Sequence, residues 1–427
     1  MTKHNTSATT STAHYMETAV HIAQYLAKEA IWDDKRCNWI GHSLEPMNNG
    51  FQVVRKSFSR DFYNGTSGIA YFLATVLRYH DDPIVEETLE GCINQLLELD
   101  NQTDNLASNF GFFGGRMGVA YALIEAGRLR QRRDWEDAGF ALLDQLCAAE
   151  IQDFELDVIS GVAGGIPVLL KYYRETKKTL YLQTAIRCGD FLLEKAVKKE
   201  TSWEWHTSLS PRGLTGYSHG NAGMALALLE LHAVTSEPKY YAAAMYGFNF
   251  ERLTFNPSVQ NWPDLRTMPG SPENAAPTYA ESWCHGAPGI ALTRLRAWEL
   301  SGDMSFKQEA EAALSTTYRG VYNMITQHSD TANYSLCHGM AGNADILLCG
   351  GQKLENPLYG QLAAQAAEAG IEKFDKTGLS WPSGVNDPSG VTKGMGETPG
   401  FMLGLAGTGY FYLRLYAPEE VDSLLIL

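Results

Sequence analysis

HGNAGMALALLELH, His219–His232, sets two glycines three residues apart at the head of a run that is apolar nearly all round. Glycine there gives a tight turn or a close backbone approach just ahead of a helix. A helix apolar on every face belongs to an inner layer. The unit recurs as NGTSGIAYFLATVL from Asn64, GGRMGVAYALIEAG from Gly114 and SGVAGGIPVLLKYY from Ser160. It continues as HGAPGIALTRLRAW from His285, HGMAGNADILL from His338 and LGLAGTGYFYLRLY from Leu403. The leading glycines, Gly65, Gly115, Gly161, Gly220, Gly286, Gly339 and Gly404, are separated by 50, 46, 59, 66, 53 and 65 residues. One G-x-x-G means little in a chain with 40 glycines. The regular spacing, with a helix after each turn, makes it a repeat.

Seven amphipathic segments alternate with these runs. The first places Met16, Val20, Ala23, Ala27 and Ile31 at helical spacing, and the others lie near 83–99, 132–149, 178–198, 237–253, 305–325 and 357–374. No strand-like alternation is long enough to build a sheet. The pattern predicts an all-α protein of seven helix pairs. An open solenoid wants polar capping repeats at its ends, but the last repeat is as apolar as the middle ones. The prediction is therefore a closed α/α toroid with seven inner and seven outer helices. It forms one domain over residues 15–427 behind a flexible tail, residues 1–14. That overrides the two or three domains that 427 residues would suggest. Four connections, 33–63, 199–218, 254–283 and 375–403, are long and rich in Gly, Pro, Ser and Asn. Three of them run directly into a glycine turn, so they should crowd one mouth of the ring.

Composition narrows the function. A net charge of −15 argues against a nucleic-acid partner. No run of 18 apolar residues could span a membrane, and the polar N-terminus lacks the apolar core of a secretory signal. Seven scattered cysteines, an odd number, fit a reducing, cytoplasmic setting rather than a disulfide framework. Cys147, Cys188 and Cys349 fall in apolar helical runs and read as packing residues.

Aligned on the leading glycine, the preceding residue reads Asn64, Gly114, Ser160, His219, His285, His338, Leu403. One position earlier stand Tyr63, Phe113, Ile159, Ser218, Cys284, Cys337 and Met402. Equivalent positions of a ring project toward one axial region, so Cys284, Cys337, His219, His285 and His338 should meet at one mouth. Two thiolates with one or two imidazoles are a zinc ligand set, and three protein ligands leave a position open for catalysis. The repeat leaves open which of His285 and His338 ligates. The alternative is that these groups simply pack the turns.

SWCHGAPGIALTRL, SLCHGMAGNADILL and GYSHGNAG resemble the hallmark segments of the lanthionine synthetase C-like (LanC-like) cyclase family. The likeness takes in all seven turns, and the ending PGFMLGLAGTGYFYLRLYAPEEVDSLLIL is especially similar to the cyclase half of LanM-type synthetases. The resemblance implies an α/α toroid with zinc held by Cys284, Cys337 and His338. It implies His219 as the catalytic histidine and Asp157, in LDVISGVAG, as the catalytic aspartate. Some members carry Tyr after the first zinc cysteine, where this chain has His285, a possible active-site lining. Some carry Arg four residues before that cysteine, where this chain has Ala280.

The implied activity is zinc-dependent addition of peptide cysteine thiolates to dehydroalanine or dehydrobutyrine, forming lanthionine or methyllanthionine rings. Only a thiolate is nucleophilic, and a metal deprotonates a thiol outright. His219 would then act as acid/base, with Asp157 orienting it. The implied partners are a dehydrated precursor peptide and a separate dehydratase, since no dehydratase half precedes the cyclase region. Two alternatives stand beside this: a LanC-like enzyme adding glutathione to dehydroamino acids in proteins, and a non-catalytic toroid that binds peptide or dehydratase. An α/α-barrel glycosidase would need paired carboxylates at the mouth, which the turn column lacks. Trp203, Trp205 and Trp262 could wall a peptide site or fold onto the ring. Arg55, Lys56 and Arg60 could meet an acidic leader or stay solvated. Asp345 sits within an inner run and has no assigned role.

Overall fold

A computed structural model describes residues 12–47, 50–98, 110–151, 154–266, 276–327, 332–385 and 396–427. Residues 1–11 of the expected tail lie outside the described residues, and the first helix starts at Ala13. The seven glycine-led runs form inner helices α2 (Thr66–Val76), α4 (Arg116–Leu129), α6 (Val162–Thr176), α8 (Asn221–Thr235), α10 (Ala287–Ser301), α12 (Met340–Leu354) and α14 (Leu405–Tyr416). The amphipathic segments form outer helices α1 (Ala13–Lys28), α3 (Pro83–Leu97), α5 (Arg133–Ala148), α7 (Thr179–Lys195), α9 (Pro238–Thr254), α11 (Met304–Thr326) and α13 (Pro357–Gly370).

Each inner helix packs against the next, and α14 packs back on α2, so the ring is closed. Its last pair joins the two ends of the described chain: α1 is the outer partner of α14. Burial follows the sequence pattern. Every residue from Leu405 to Leu415 of α14 and from Asn221 to Leu231 of α8 is buried, whereas α5 buries only one stripe, from Trp135 to Cys147. Cys147 and Cys188 are buried in this packing. Cys349 is half-buried, 3.6 Å from Arg414 Nη2.

The glycines act mainly through close approach. A methyl group at Gly223 would overlap the carbonyl oxygen of Tyr217, and the second glycine of the other six turns meets the equivalent carbonyl, six residues upstream. Gly286 alone among the leading glycines has positive φ, 89°, with Ala280 O against it, so only glycine fits there without strain.

One reading needs correction, and one left open is resolved. The sequence shows no strand-like alternation long enough to build a sheet, yet the connection around 33–63 carries two antiparallel hairpins, β1 (Ile31–Asp33) with β2 (Arg36–Asn38) and β3 (Ile40–Met47) with β4 (Gly50–Ser57). A third hairpin pairs β5 (Val197–Lys198) with β6 (Trp203–Glu204). Trp205 and Trp262 are buried, and their indole N–H groups donate to Leu192 O and Glu251 O at 2.8 and 2.9 Å, so neither walls a peptide site. Trp203 stacks on Tyr246 with ring centroids 5.1 Å apart. Lys56 pairs with Glu45 at 2.5 Å, Arg60 donates to Gln95 O, and Arg55 is exposed.

Asp345 of α12 acquires a structural role. Its carboxylate accepts from Arg414 Nε of α14 at 2.9 Å and from Ser423 Oγ at 2.6 Å, and both charged residues are 2% exposed. Asp345→Ala leaves a buried guanidinium without its counter-charge. We expect a loss on the order of 3–5 kcal/mol in denaturant unfolding; a change below about 0.5 kcal/mol would show that the pair does not brace the ring. No helix among the described residues is long and apolar enough to cross a membrane.

Candidate metal centre and acid–base pair

The turns ahead of the inner helices are stitched to one another around one mouth. Tyr63 N donates to Phe113 O, Gly114 N to Ile159 O, Val158 N to Ser218 O, Ser218 N to Cys284 O, Cys337 N to Met402 O and Met402 N to Tyr63 O, over 2.6–3.4 Å. These close six of the seven junctions. Between the turns of Cys284 and Cys337, no main-chain bond is made among the described residues. There Asn343 Nδ2 donates to Glu281 O at 2.8 Å, and the two thiols and His338 come together.

Cys284, Cys337 and His338 offer donor atoms that all lie within 4.8 Å of one another. Each is held from outside the cluster. Trp283, buried beside Cys284, donates its Nε1–H to Leu425 O at 2.8 Å. Ser282 Oγ lies 3.4 Å from Cys284 Sγ, and Tyr63 Oη donates to Cys337 Sγ at 2.9 Å. His338 Nε2 is 2.6 Å from Gly384 O, which fixes the ring and leaves Nδ1 for the cluster. Gly384 must be small: a methyl there would stand 2.9 Å from His338 Nε2.

The cluster is electrically poised. Hydrogen bonding from Cys337 outweighs burial and, with His338, holds the Cys284 thiol well below its usual pKa. Cys337 moves the opposite way, through its contact with Cys284 and through burial. Burial opposes the charged form of His338, but contact with Cys284 reverses this and the net shift is upward.

The donor set fits zinc. A tetrahedron with zinc–sulfur bonds of about 2.3 Å has an edge of about 3.8 Å, so the cluster needs only about 1 Å of side-chain closure. An imidazole whose far nitrogen is tied to a carbonyl is the usual arrangement around a metal.

His219 sits on the neighbouring turn, whose Ser218 N–H and Oγ–H both reach Cys284 O, the latter at 3.2 Å. Its Nδ1 is 2.6 Å from Asp157 Oδ2, while Asp157 Oδ1 accepts from Ser160 N and Gly161 N at 2.8 and 3.2 Å. Asp157 is 4% exposed and the His219 side chain 21%, so the pair is anchored at one end and open at the other. Buried Glu251 steadies this turn: its Oε1 accepts from Gly216 N and Ala222 N at 3.1 and 2.9 Å. The His285 ring centroid lies 6.0 Å from that of His219, and His285 is 1% exposed with both ring nitrogens unpartnered.

The five residues named as catalytic or metal-binding thus form two constellations, Cys284–Cys337–His338 and His219–Asp157, on neighbouring turns. Tyr63 stood in the aligned column, but a hydroxyl in place of a thiol carried no sign of its bond to sulfur. Glu251 and Gly384 lie outside the turns and left no signal.

A closed helical toroid with a two-thiol, one-imidazole cluster at its mouth and a histidine–carboxylate pair beside it defines a class of α/α-toroid proteins. Residues 57–426 match the family model described as Lanthionine synthetase C-like protein, and the chain belongs to that family. It is similar to the lacticin 481/lactococcin biosynthesis protein LcnDR2 of Lactococcus lactis subsp. lactis, at 25% identity over 74% of this chain and 32% of the relative. The chain therefore spans about a third of that relative's length. Glutathione S-transferase LANCL1 of Danio rerio is 21% identical over 93% of this chain and 80% of its own. Among solved structures, nisin cyclase shares the fold with a TM-score of 0.62 at 16% identity, covering 96% of this chain and 95% of that one.

Proposed function

We propose that this chain is a zinc-dependent lanthipeptide cyclase that adds peptide cysteine thiolates to dehydroalanine or dehydrobutyrine. It works in the cytoplasm on a precursor peptide that a dehydratase has already dehydrated. The observation that carries the reading is the thiol–imidazole cluster beside an anchored His–Asp pair with one open edge. Cys284, Cys337 and His338 would hold the metal, and His285 lines the space between cluster and His219. Zinc bound there supplies the Lewis acidity that makes a substrate thiol nucleophilic near neutral pH.

The remaining steps belong to the chain's own groups. Tyr63 Oη and Gly384 O keep Cys337 and His338 aimed at one point. Asp157 fixes the tautomer of His219 through Nδ1, so Nε2 faces the open edge. Addition forms a C–S bond at the alkene's β-carbon and leaves negative charge on the α-carbon and its carbonyl oxygen. His219 Nε2, unprotonated while Nδ1–H is held by Asp157, takes the proton released by the substrate thiol and returns it at the α-carbon. No oxidant is involved and no atom is lost.

The test is incubation of zinc-loaded protein with a synthetic peptide carrying one dehydroalanine and one cysteine a few residues apart. Loss of the alkylatable thiol without mass change is expected, and retention of the thiol at the no-enzyme rate overturns the reading. The likeness to LANCL1 favours a second reading, addition of glutathione to dehydroalanine peptides. A product heavier by one glutathione, in place of ring closure, would select it.

The unstitched junction gives a further expectation. Metal bound by Cys284 and Cys337 would close the seventh seam of the mouth. Chelation should therefore raise amide exchange in residues 280–287 and 333–340 by at least tenfold, while residues 62–66 and 111–118 change little. Uniform change around the ring would show that the metal does not act as the seam.

A further inference from the structure

The segment after α9 reaches the mouth without belonging to any repeat. Asn261, 2% exposed, ties it to the head of α10: its Oδ1 accepts from Ala287 N at 2.8 Å and its Nδ2 donates to Ala280 O at 3.0 Å. Asp264 N donates to Thr278 O at 2.7 Å, and Thr215 Oγ1 donates to Pro263 O beside the His219 turn. The backbone carrying Asp264 and Arg266 is thus fixed against the turns of both His219 and Cys284.

Arg266 grips Asp264 side-on. Nε lies 3.0 and 3.2 Å from the two carboxylate oxygens, and Nη2 lies 2.7 Å from Oδ2. The Asp264 side chain is 9% exposed and that of Arg266 35%. This leaves Nη1, on the far side of the guanidinium, with no partner among the described residues. The charge of Arg266 is felt at Cys284, Cys337, His338 and His285, as expected of a guanidinium carried on backbone that is fixed against the Cys284 turn. On the Cys284 turn, His285 is 1% exposed and both its ring nitrogens are unpartnered. A buried polar side chain left without a partner marks a place where a ligand's polar atom fits.

The proposed reaction needs such a place. As the C–S bond forms, the alkene's π pair shifts toward the α-carbon and onto the acceptor's carbonyl oxygen. His219 handles the proton, but nothing in the two constellations already described receives that oxygen.

We propose that Arg266, braced by Asp264, donates through Nη1 to the carbonyl oxygen of the acceptor dehydroamino acid, on the side of the mouth that carries the Cys284–His285 turn. This rests on the cyclase reading above. Arg266 is then a catalytic residue, because it touches the reacting group, and Asp264 is a positioning residue. A preorganised donor of this kind is worth about 10²–10³ in rate.

The test uses zinc-loaded wild type and Arg266→Gln, checked for equal zinc content and melting temperature, with Arg266→Lys as a second variant in case the first folds poorly. The binding probe is a cysteine-free dehydroalanine peptide with a ¹³C-labelled acceptor carbonyl, followed by infrared difference spectroscopy. The carbonyl stretch should move to lower frequency on wild type and recover in Arg266→Gln. Cyclisation of the cysteine-containing peptide should fall about 10²–10³-fold, with millimolar guanidinium restoring part of it. An unchanged carbonyl shift in Arg266→Gln, or wild type that cyclises without shifting the carbonyl, overturns the assignment while the cyclase reading stands. Wild type that neither shifts the carbonyl nor cyclises overturns both.

Discussion

Cys337→Ala should be purified almost free of zinc, against about one zinc per chain in the wild type, and should cyclise at the background rate. Both expectations follow from the ligand count. Removing one of three protein ligands leaves a thiol and an imidazole, too few for a tight site. Cys337 also sits at the junction where no main-chain bond joins neighbouring turns, so its loss opens the mouth as well as the metal site. Tyr63→Phe gives the graded comparison. It keeps all three ligands and loses only the hydrogen bond to sulfur, so affinity should fall by about 10–100-fold without being abolished. Metal analysis of both variants, with competition against a chromophoric chelator, checks the pair. Full zinc occupancy in Cys337→Ala would mean that this sulfur is not a ligand.

How much of this could be read from the chain depends on whether a feature obeyed the repeat. The toroid was legible because seven glycine turns and seven apolar helices impose one period, and each second glycine answers the same steric demand from a carbonyl six residues upstream. Closure was legible from the apolar last repeat. Its means, α1 serving as the outer partner of α14, was not, because it pairs segments at opposite ends of the sequence. Cys284, Cys337 and the three turn histidines were legible because they share register. Asp157 was not: it lies three residues ahead of its turn, and only its bonds to Ser160 N, Gly161 N and His219 distinguish it from other acids. Arg266 and Asp264 come from a long connection with no register, so periodicity is silent about them. The loop tryptophans were ambiguous because an indole can wall a ligand or seal a core. Their N–H bonds to Leu192 O and Glu251 O put two of them in the core.

His219→Asn should keep its zinc and its fold, yet close rings about 10²–10⁴-fold more slowly, the usual worth of a positioned acid/base. The argument turns on what asparagine preserves. Its amide can still donate to Asp157 Oδ2, so the turn and its bonds to Cys284 O should survive. What is lost is Nε2, the atom that faces the open edge and could carry a proton to the α-carbon. Asp157→Asn attacks the same function from the other side: the imidazole remains, but its tautomer is no longer fixed. If the two residues act as one unit, the double variant is little slower than either single one. Independent action would instead multiply the two losses. Thiol alkylation followed by mass spectrometry counts uncyclised cysteines over time, and zinc analysis of the same samples separates the two constellations. Wild-type rates in His219→Asn would end its catalytic assignment. Zinc lost from His219→Asn would make it a ligand, and His338, whose Nε2 is already tied to Gly384 O, would then need a different role.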